Sequence, residues 1–386
     1  MKLQIFVAAA LLAGMPLVAQ SPALRPLLAA ETVSVSTTNV SNRTDERSAK
    51  STSEDAADAI PQQVPQPTTR AANTARTEIK RPKSEGSMVG YIDDAVPSTE
   101  LRIRFDGGFN DPYPDRAEFF YGKCGCYRSL PTNSPAYDPK APGPAPGVAR
   151  NLNFQQLYLY GEYSPLRLPR FSAFFELPFR WIQPKFVENS GGTFPDHGGI
   201  SDVSLGLKFA VLDTERSTVS LQMKAFLPSG DASRGLGTAH SSVQPGLLLY
   251  HSLSSRWKLE GQLQGWIPVN GSRGVPTVGS SSFAGSILIY GLGVSNEIYH
   301  NSTIRLDPVV EFVGWHLLGG FQTQLEPPGP VGGAAAPQDG TNIVNAKFGL
   351  RTTIHDHSSV YVGYGRAVTD AAWYKNLLRV EYRYVF

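Results

Sequence analysis

The chain closes with Leu377-Leu-Arg-Val-Glu-Tyr-Arg-Tyr-Val-Phe386, and these residues change character with a period of two. Leu378, Val380, Tyr382, Tyr384 and Phe386 fall on one side; Arg379, Glu381 and Arg383 fall on the other. An extended chain sends successive side chains to opposite faces, so the stretch reads as a strand with one apolar, aromatic-rimmed face and one ionic face. A soluble sandwich would alternate in the same way, with its apolar face in a core and its charged face in water. One strand does not separate the two.

Upstream, the same alternation recurs. Val203, Leu205, Leu207, Phe209 and Val211 interleave with Ser204, Gly206 and Lys208, and Leu221 and Met223 interleave with Gln222 and Lys224. Candidate strands are 101–110, 152–163, 170–182, 199–212, 217–228, 241–252, 255–268, 282–298, 302–316, 342–354, 358–368 and 374–386. Strands of about ten residues are the length needed to cross a bilayer at a tilt. Their connections alternate between wide (111–151, 183–198, 229–240, 269–281, 317–341 and the shorter 369–373) and tight (164–169, 213–216, 253–254, 299–301 and 355–357). Short turns at one end, long loops at the other and an even strand count define an outer-membrane barrel. The reading is therefore all-β: a closed up-and-down antiparallel transmembrane barrel of about twelve strands over 99–386. Pro178, Pro245 and Pro308 fall inside these strands, where a closed barrel has no free edge to hide a missing amide donor, so each marks a bulge, a rim or a misplaced boundary.

If the apolar faces meet lipid, the alternate faces form the lumen. The basic candidates there are Arg102, Arg104, Arg180, Lys208, Lys224 and Lys258, followed by Arg305, Lys347, Arg351, Arg379 and Arg383. The acidic ones are Asp106, Glu176, Glu260, Asp307, Glu311 and Glu381, which leaves a basic excess of five. A charged wall in a confined channel favours solutes of opposite sign, here anions. The alternative is a cross-strand network that pairs these groups and plugs the interior, since a barrel of about twelve strands lies between filled and open sizes.

Composition agrees with extended structure. Of 386 residues, 18% are charged and 41% hydrophobic, with 37 Gly and 30 Pro, and the formal charge of +2 argues against a nucleic-acid partner. Lys2, the apolar run Ile5 to Ala13 and small residues near Ala19 or Ala30 read as a signal peptide over 1–30. Residues 31–98 are rich in Ser, Thr, Ala, Pro and Gln and read as a disordered periplasmic arm, because they hold too little apolar surface to offset ordering entropy. Cys124-Gly-Cys126 lacks the four ligands of a closed metal site and suits a local disulfide or intermolecular pairing better. His355-Asp-His357 occupies a tight turn and reads as a polar turn rather than a metal site. The glycines of Arg234-Gly-Leu-Gly237 lack the strand and helix of a nucleotide loop, and no motif implies a cofactor.

The stretch Gly199-Ile-Ser-Asp-Val-Ser-Leu-Gly-Leu-Lys-Phe209, with Phe226-Leu-Pro-Ser-Gly-Asp231, Gly235-Leu-Gly237 and Val243-Gln-Pro-Gly-Leu247, resembles the outer-membrane barrel family named for the MetA pathway of phenol degradation. The likeness is clearest over residues 199–270, and Asp115 to Tyr127 resembles an insertion found in a subset of such proteins. The resemblance implies a barrel in the bacterial outer membrane that passes small, hydrophobic molecules, with outer-membrane lipid as its surroundings. It supplies no catalytic residues. An enzymatic barrel would need a serine nucleophile with a base, and no Gly-x-Ser-x-Gly occurs; Ser286 after Gly285 is only part of one. A secreted sandwich with a binding or structural role would share the alternation but needs two sheets over a common core.

By resemblance to outer-membrane barrels generally, Tyr382, Tyr384 and Phe386 form the aromatic end that the barrel assembly machinery reads. Removal of Phe386 is expected to lower the heat-modifiable, membrane-inserted form several-fold on unboiled gels; normal levels of the truncated chain would contradict this.

Overall fold

The computed structural model describes residues 87–112, 131–133, 137, 139, 149–186, 196–269, 284–323 and 335–386. The chain divides into two units, Met1–Asn73 and Thr74–Phe386, and every described residue lies in the second. The signal peptide expected over 1–30, the arm as far as residue 86, and Cys124 and Cys126 lie outside the described residues.

In chain order the strands are β1 (Glu100–Asp111), β2 (Ala149–Tyr163), β3 (Phe171–Phe186), β4 (His197–Ile200), β5 (Val203–Asp213), β6 (Ser217–Leu227), β7 (Ser241–Ser252) and β8 (Trp257–Val269). They continue as β9 (Ile287–Asn296), β10 (Tyr299–His300), β11 (Ile304–Leu317), β12 (Phe321–Thr323), β13 (Ala335–Pro337), β14 (Asn342–Ile354), β15 (Ser358–Ala367) and β16 (Asn376–Val385). Twelve of them are long; β4 and β10 are short extensions of the barrel wall, and β12 and β13 form a separate hairpin in a wide loop. The long strands pair antiparallel in order, and β1 pairs with β16 from Glu100↔Val385 to Phe109↔Asn376. That last ladder closes the ring and excludes a two-sheet sandwich, which would leave edges. The Phe386 amide donates to the Thr99 carbonyl at 2.9 Å, extending the seam to the tight-turn rim.

Register explains the three prolines. Pro178 falls where β3 passes from pairing with β5, through Glu176, to pairing with β4 from Phe179, and the Ser201 amide donates to its carbonyl at 2.8 Å. The β7–β8 ladder passes from Val243↔Ile267 to Gly246↔Gln264, so Pro245 sits where its rungs are missing. Pro308 lies between Leu306, paired with β10, and Val309, paired with β9. Each ring nitrogen thus occupies a break in a ladder, where no amide donor is required. The three-residue turn His355–His357 closes on the pair Ile354↔Ser358, and His355 and Asp356 take left-handed φ of 47° and 57°, a region that His and Asp enter more readily than most residues.

The faces are inverted relative to a soluble protein. Phe348 is 56% exposed and its neighbour Lys347 only 2%. Leu101, Ile103, Leu207, Met223, Leu263 and Phe312 are likewise exposed, while their alternates are buried or half-buried. Exposed Tyr163, Trp257, Tyr299, Tyr382 and Tyr384 border the tight-turn end, the position of an interfacial aromatic girdle. Leu207→Arg, on the outer face in the middle of β5, is expected to cost about 2–4 kcal/mol in denaturant unfolding from lipid vesicles, the cost of a cation at bilayer depth. Leu207→Phe is expected to be nearly neutral in the same measurement.

Candidate functional site: the barrel interior

Strand alternation carries all seventeen charged residues of the expected lumen set to the inner face. Asp106, Arg180, Lys208, Lys258, Glu260, Arg305 and Asp307 are buried there, as are Glu311, Lys347, Arg351, Arg379, Glu381 and Arg383. Arg102, Arg104, Glu176 and Lys224 are half-buried. Charges taken out of water must be paired, and the register supplies partners. Asp106 stands opposite Arg379 across the closing seam and accepts two hydrogen bonds from its guanidinium at 2.6 Å each. Arg351 meets Glu381 at 2.9 Å, Arg305 meets Asp307 at 3.0 Å, and Lys208 meets Glu162 at 3.0 Å. Arg102 and Arg383 are directly opposed like charges, and Glu100 lies between them at 2.7 and 3.8 Å.

The remaining partners come from a segment expected to lie outside the barrel. The arm assigned to 31–98 is corrected at its end: residues 87–98 fold into the lumen, with Met88, Val89, Ile92 and Ala95 buried. Both ends of the segment lie toward the tight-turn rim. At one end the Ser98 amide donates to Glu162 and the Thr99 hydroxyl donates to the Ser164 carbonyl; at the other, Arg383 donates to the Ser87 carbonyl at 2.9 Å. The segment is thus a re-entrant loop, and the wall reads its main chain.

Glu260 accepts the Met88 amide at 2.8 Å, and Glu311 accepts the amides of Gly90, Tyr91 and Ile92 at 3.1, 2.9 and 3.1 Å. Arg351 donates to the carbonyls of Met88 and Val89 at 2.8 and 2.9 Å, and Arg379 donates to that of Gly90. Asp93 pairs with Lys224 at 3.2 Å and accepts from Gln222 and Gln264. Tyr91 covers the Lys347 ammonium, 3.8 Å from its ring centre, and the Arg379 guanidinium at 4.1 Å. Gly90 has to be a glycine, since a Cβ there would fall within the Tyr361 ring.

Glu100 and Glu162 on the wall and Asp93 and Asp94 on the segment are four interior acids that the alternation count left out, and they offset most of its basic excess. Glu100 lay one residue before the first expected strand. The segment has no period by which to recognise it.

Toward the wide loops the interior changes to an apolar tier. Trp266, Trp315, Trp373, Tyr374, Phe154 and Leu377 are buried together, and Trp315 meets Trp373 edge-on at 6.5 Å. The β6–β7 loop caps this end. Asp202 accepts from the Gly230 amide at 3.0 Å and from the Thr238 amide and hydroxyl at 2.8 and 2.7 Å, while Arg180 and Ser201 donate to the carbonyl of buried Leu236. A Cβ on Gly237 would stand 2.5 Å from an Asp202 oxygen, so this glycine serves loop closure. His240, just before β7, packs edge-on against Trp266 at 5.5 Å, and burial pushes its pKa down, keeping it neutral near pH 7. Among the described residues no group of three metal-ligating side chains occurs.

Beside the segment, a polar crevice about large enough for one water molecule is bordered by Asp93, Arg102, Arg104, Glu176, Lys208 and Lys224. Arg102 and Arg104 stack over the rings of Tyr160 and Tyr158, each at 3.7 Å.

A closed barrel with an apolar exterior and an ion-paired interior is a transmembrane β-barrel of the outer-membrane type. Residues 169–265 match the family model described as "Putative MetA-pathway of phenol degradation", the family that the glycine-rich motifs resemble. No curated protein matches by sequence. Among solved structures, an outer membrane channel from Pseudomonas putida F1 is 12% identical with a TM-score of 0.46, covering 78% of this chain and 100% of its own. The KdgM porin is 8% identical with a TM-score of 0.36 over 74% of this chain and 99% of its own. A TodX monoaromatic hydrocarbon channel mutant is 9% identical with a TM-score of 0.34 over 75% and 91%. These likenesses are distant, and it is the chain's own strand register that establishes the barrel.

Glu311→Leu leaves three segment amides without their acceptor, at about 1–3 kcal/mol for each that stays buried. Added protease is expected to cut within residues 87–98 several-fold faster in this variant, with the heat-modifiable barrel retained. An unchanged cleavage rate would show that Glu311 does not hold the segment.

Proposed function

We propose that the protein is a bacterial outer-membrane channel for passive passage of small molecules, with no chemical step of its own. The observation that carries this reading is the inversion of faces: hydrophobic side chains cover the outside of a closed cylinder, while ionic groups are gathered inside it. The preferred solutes are small organic anions with an apolar or aromatic part. An aromatic tier lies toward the wide-loop mouth and a tier rich in arginine and lysine lies below it, so such a solute meets apolar contact first and cationic groups next. With its wide loops outward, as in barrels of this type, the tight-turn rim and the segment's two ends face the periplasm. The segment then lies on the route.

A structural barrel without transport is the second reading, favoured by an interior that the segment and the ion pairs nearly fill. Liposome swelling decides between them. Vesicles carrying the full chain are expected to swell faster in small aromatic and aliphatic carboxylates than in neutral sugars of equal size. No swelling with any solute, from a heat-modifiable barrel, would leave the structural reading. In planar bilayers Arg104→Glu, at the crevice, is expected to move ion preference toward cations with little effect on insertion; unchanged preference would mean that the crevice is not on the path.

A further inference from the structure

We propose that residues 87–98 are a displaceable gate, and that the inner wall they occupy is a binding site for solute carboxylates. The inference deepens the channel reading and rests on it. The described ends of the segment, Ser87 and Ser98, both lie toward the same rim, the geometry of a loop that can withdraw toward that rim. Its hold on the wall is made of hydrogen bonds, ion pairs and van der Waals contacts. Val89 and Ile92 pack against Gly293 and Gly291 of β9, where the wall carries no side chain.

The segment presents anion-like oxygens to cationic groups. Three arginines, Arg351, Arg379 and Arg383, donate to main-chain carbonyls of residues 87–90, and Lys224 holds the Asp93 carboxylate together with Gln222 and Gln264. Withdrawal takes away those carbonyls and both Asp93 and Asp94, and although it also frees the carboxylates of Glu260 and Glu311, the wall that remains holds more guanidinium and ammonium donors than carboxylates to pair them. Such donors are costly to leave unpaired, and a carboxylate satisfies them. The Asp93 position, on a lysine and two glutamines, is a ready-made carboxylate subsite. The half-buried crevice residues Arg102 and Arg104 extend it with cationic groups already in place.

The test pins the segment in the full chain. In a Cys124→Ser, Cys126→Ser background, Ile92→Cys is combined with Gly291→Cys, where a Cβ would stand 3.1 Å from Ile92 Cγ1. Val89→Cys with Gly293→Cys, where the corresponding distance is 2.6 Å, serves as a second pair. Disulfide formation is verified by thiol labelling, and current is read in planar bilayers under KCl and potassium benzoate gradients. The reduced protein is expected to conduct with anion preference and to pass benzoate. Oxidation is expected to lower conductance at least tenfold, with recovery on reduction.

Equal conductance in the oxidised and reduced states, with swelling intact, would overturn the gate while leaving the channel reading in place. A reduced channel that prefers cations would overturn the carboxylate site. A folded parent chain that neither conducts nor supports swelling would remove the channel reading, and the gate with it. Asp93→Asn in the full chain is expected to raise the open fraction several-fold; no change would overturn the part assigned to that carboxylate.

Discussion

A backbone amide in hydrocarbon has no water to turn to, and that constraint governs this molecule. Every strand must find a partner on both sides, so the ring has to close, and it does so where β1 meets β16. Closure also settles where prolines are tolerated. Pro178, Pro245 and Pro308 each occupy a ladder break on one side, so that none of the three removes a bond the wall needs.

Closure has a second consequence. Alternation that puts leucine and phenylalanine against lipid turns every other residue inward, and here many of those are charged. Charges in a confined interior stay only when paired, and the strand register pairs Asp106 with Arg379 directly. Wall-to-wall pairing does not serve every group. Glu311, Glu260, Arg351 and Lys224 find partners on residues 87–98, so the segment completes an electrostatic network as well as filling space. Its place in the lumen follows from chemistry that neither the wall nor the segment satisfies alone.

The interior is also divided along its length. The tryptophans and Tyr374 lie toward the wide loops, the ion pairs toward the tight turns, and the glycine-bearing β6–β7 loop folds over the apolar end with Asp202 as its anchor. In the resemblance to a barrel family those glycines stood as a motif without a mechanism. The structure provides one, because Gly237 passes too close to the Asp202 carboxylate to carry a side chain.

Sequence by itself determined the strands, their faces and the rhythm of their connections, because period-two alternation is local and one face of every strand must be apolar. Residues 241–252 and 342–354 were bounded by pattern alone where the structure bounds them. The inward orientation of Arg351, Arg379 and Lys208 was legible for the same reason. What filled the lumen was not. Ser87 to Ser98 holds Met88, Val89, Tyr91, Ile92 and Val96 but is short and without a period, and its order comes from acceptors and donors on strands up to about three hundred residues away in the chain. Trp266 was hidden likewise: it lies on the same face as Lys258 and Glu260, where alternation led one to expect polar side chains, and only the convergence of several strands shows that this end of the interior is dry. Faces are a property of a strand, whereas an interior is a property of the closed ring, and only tertiary structure brings its contributors together.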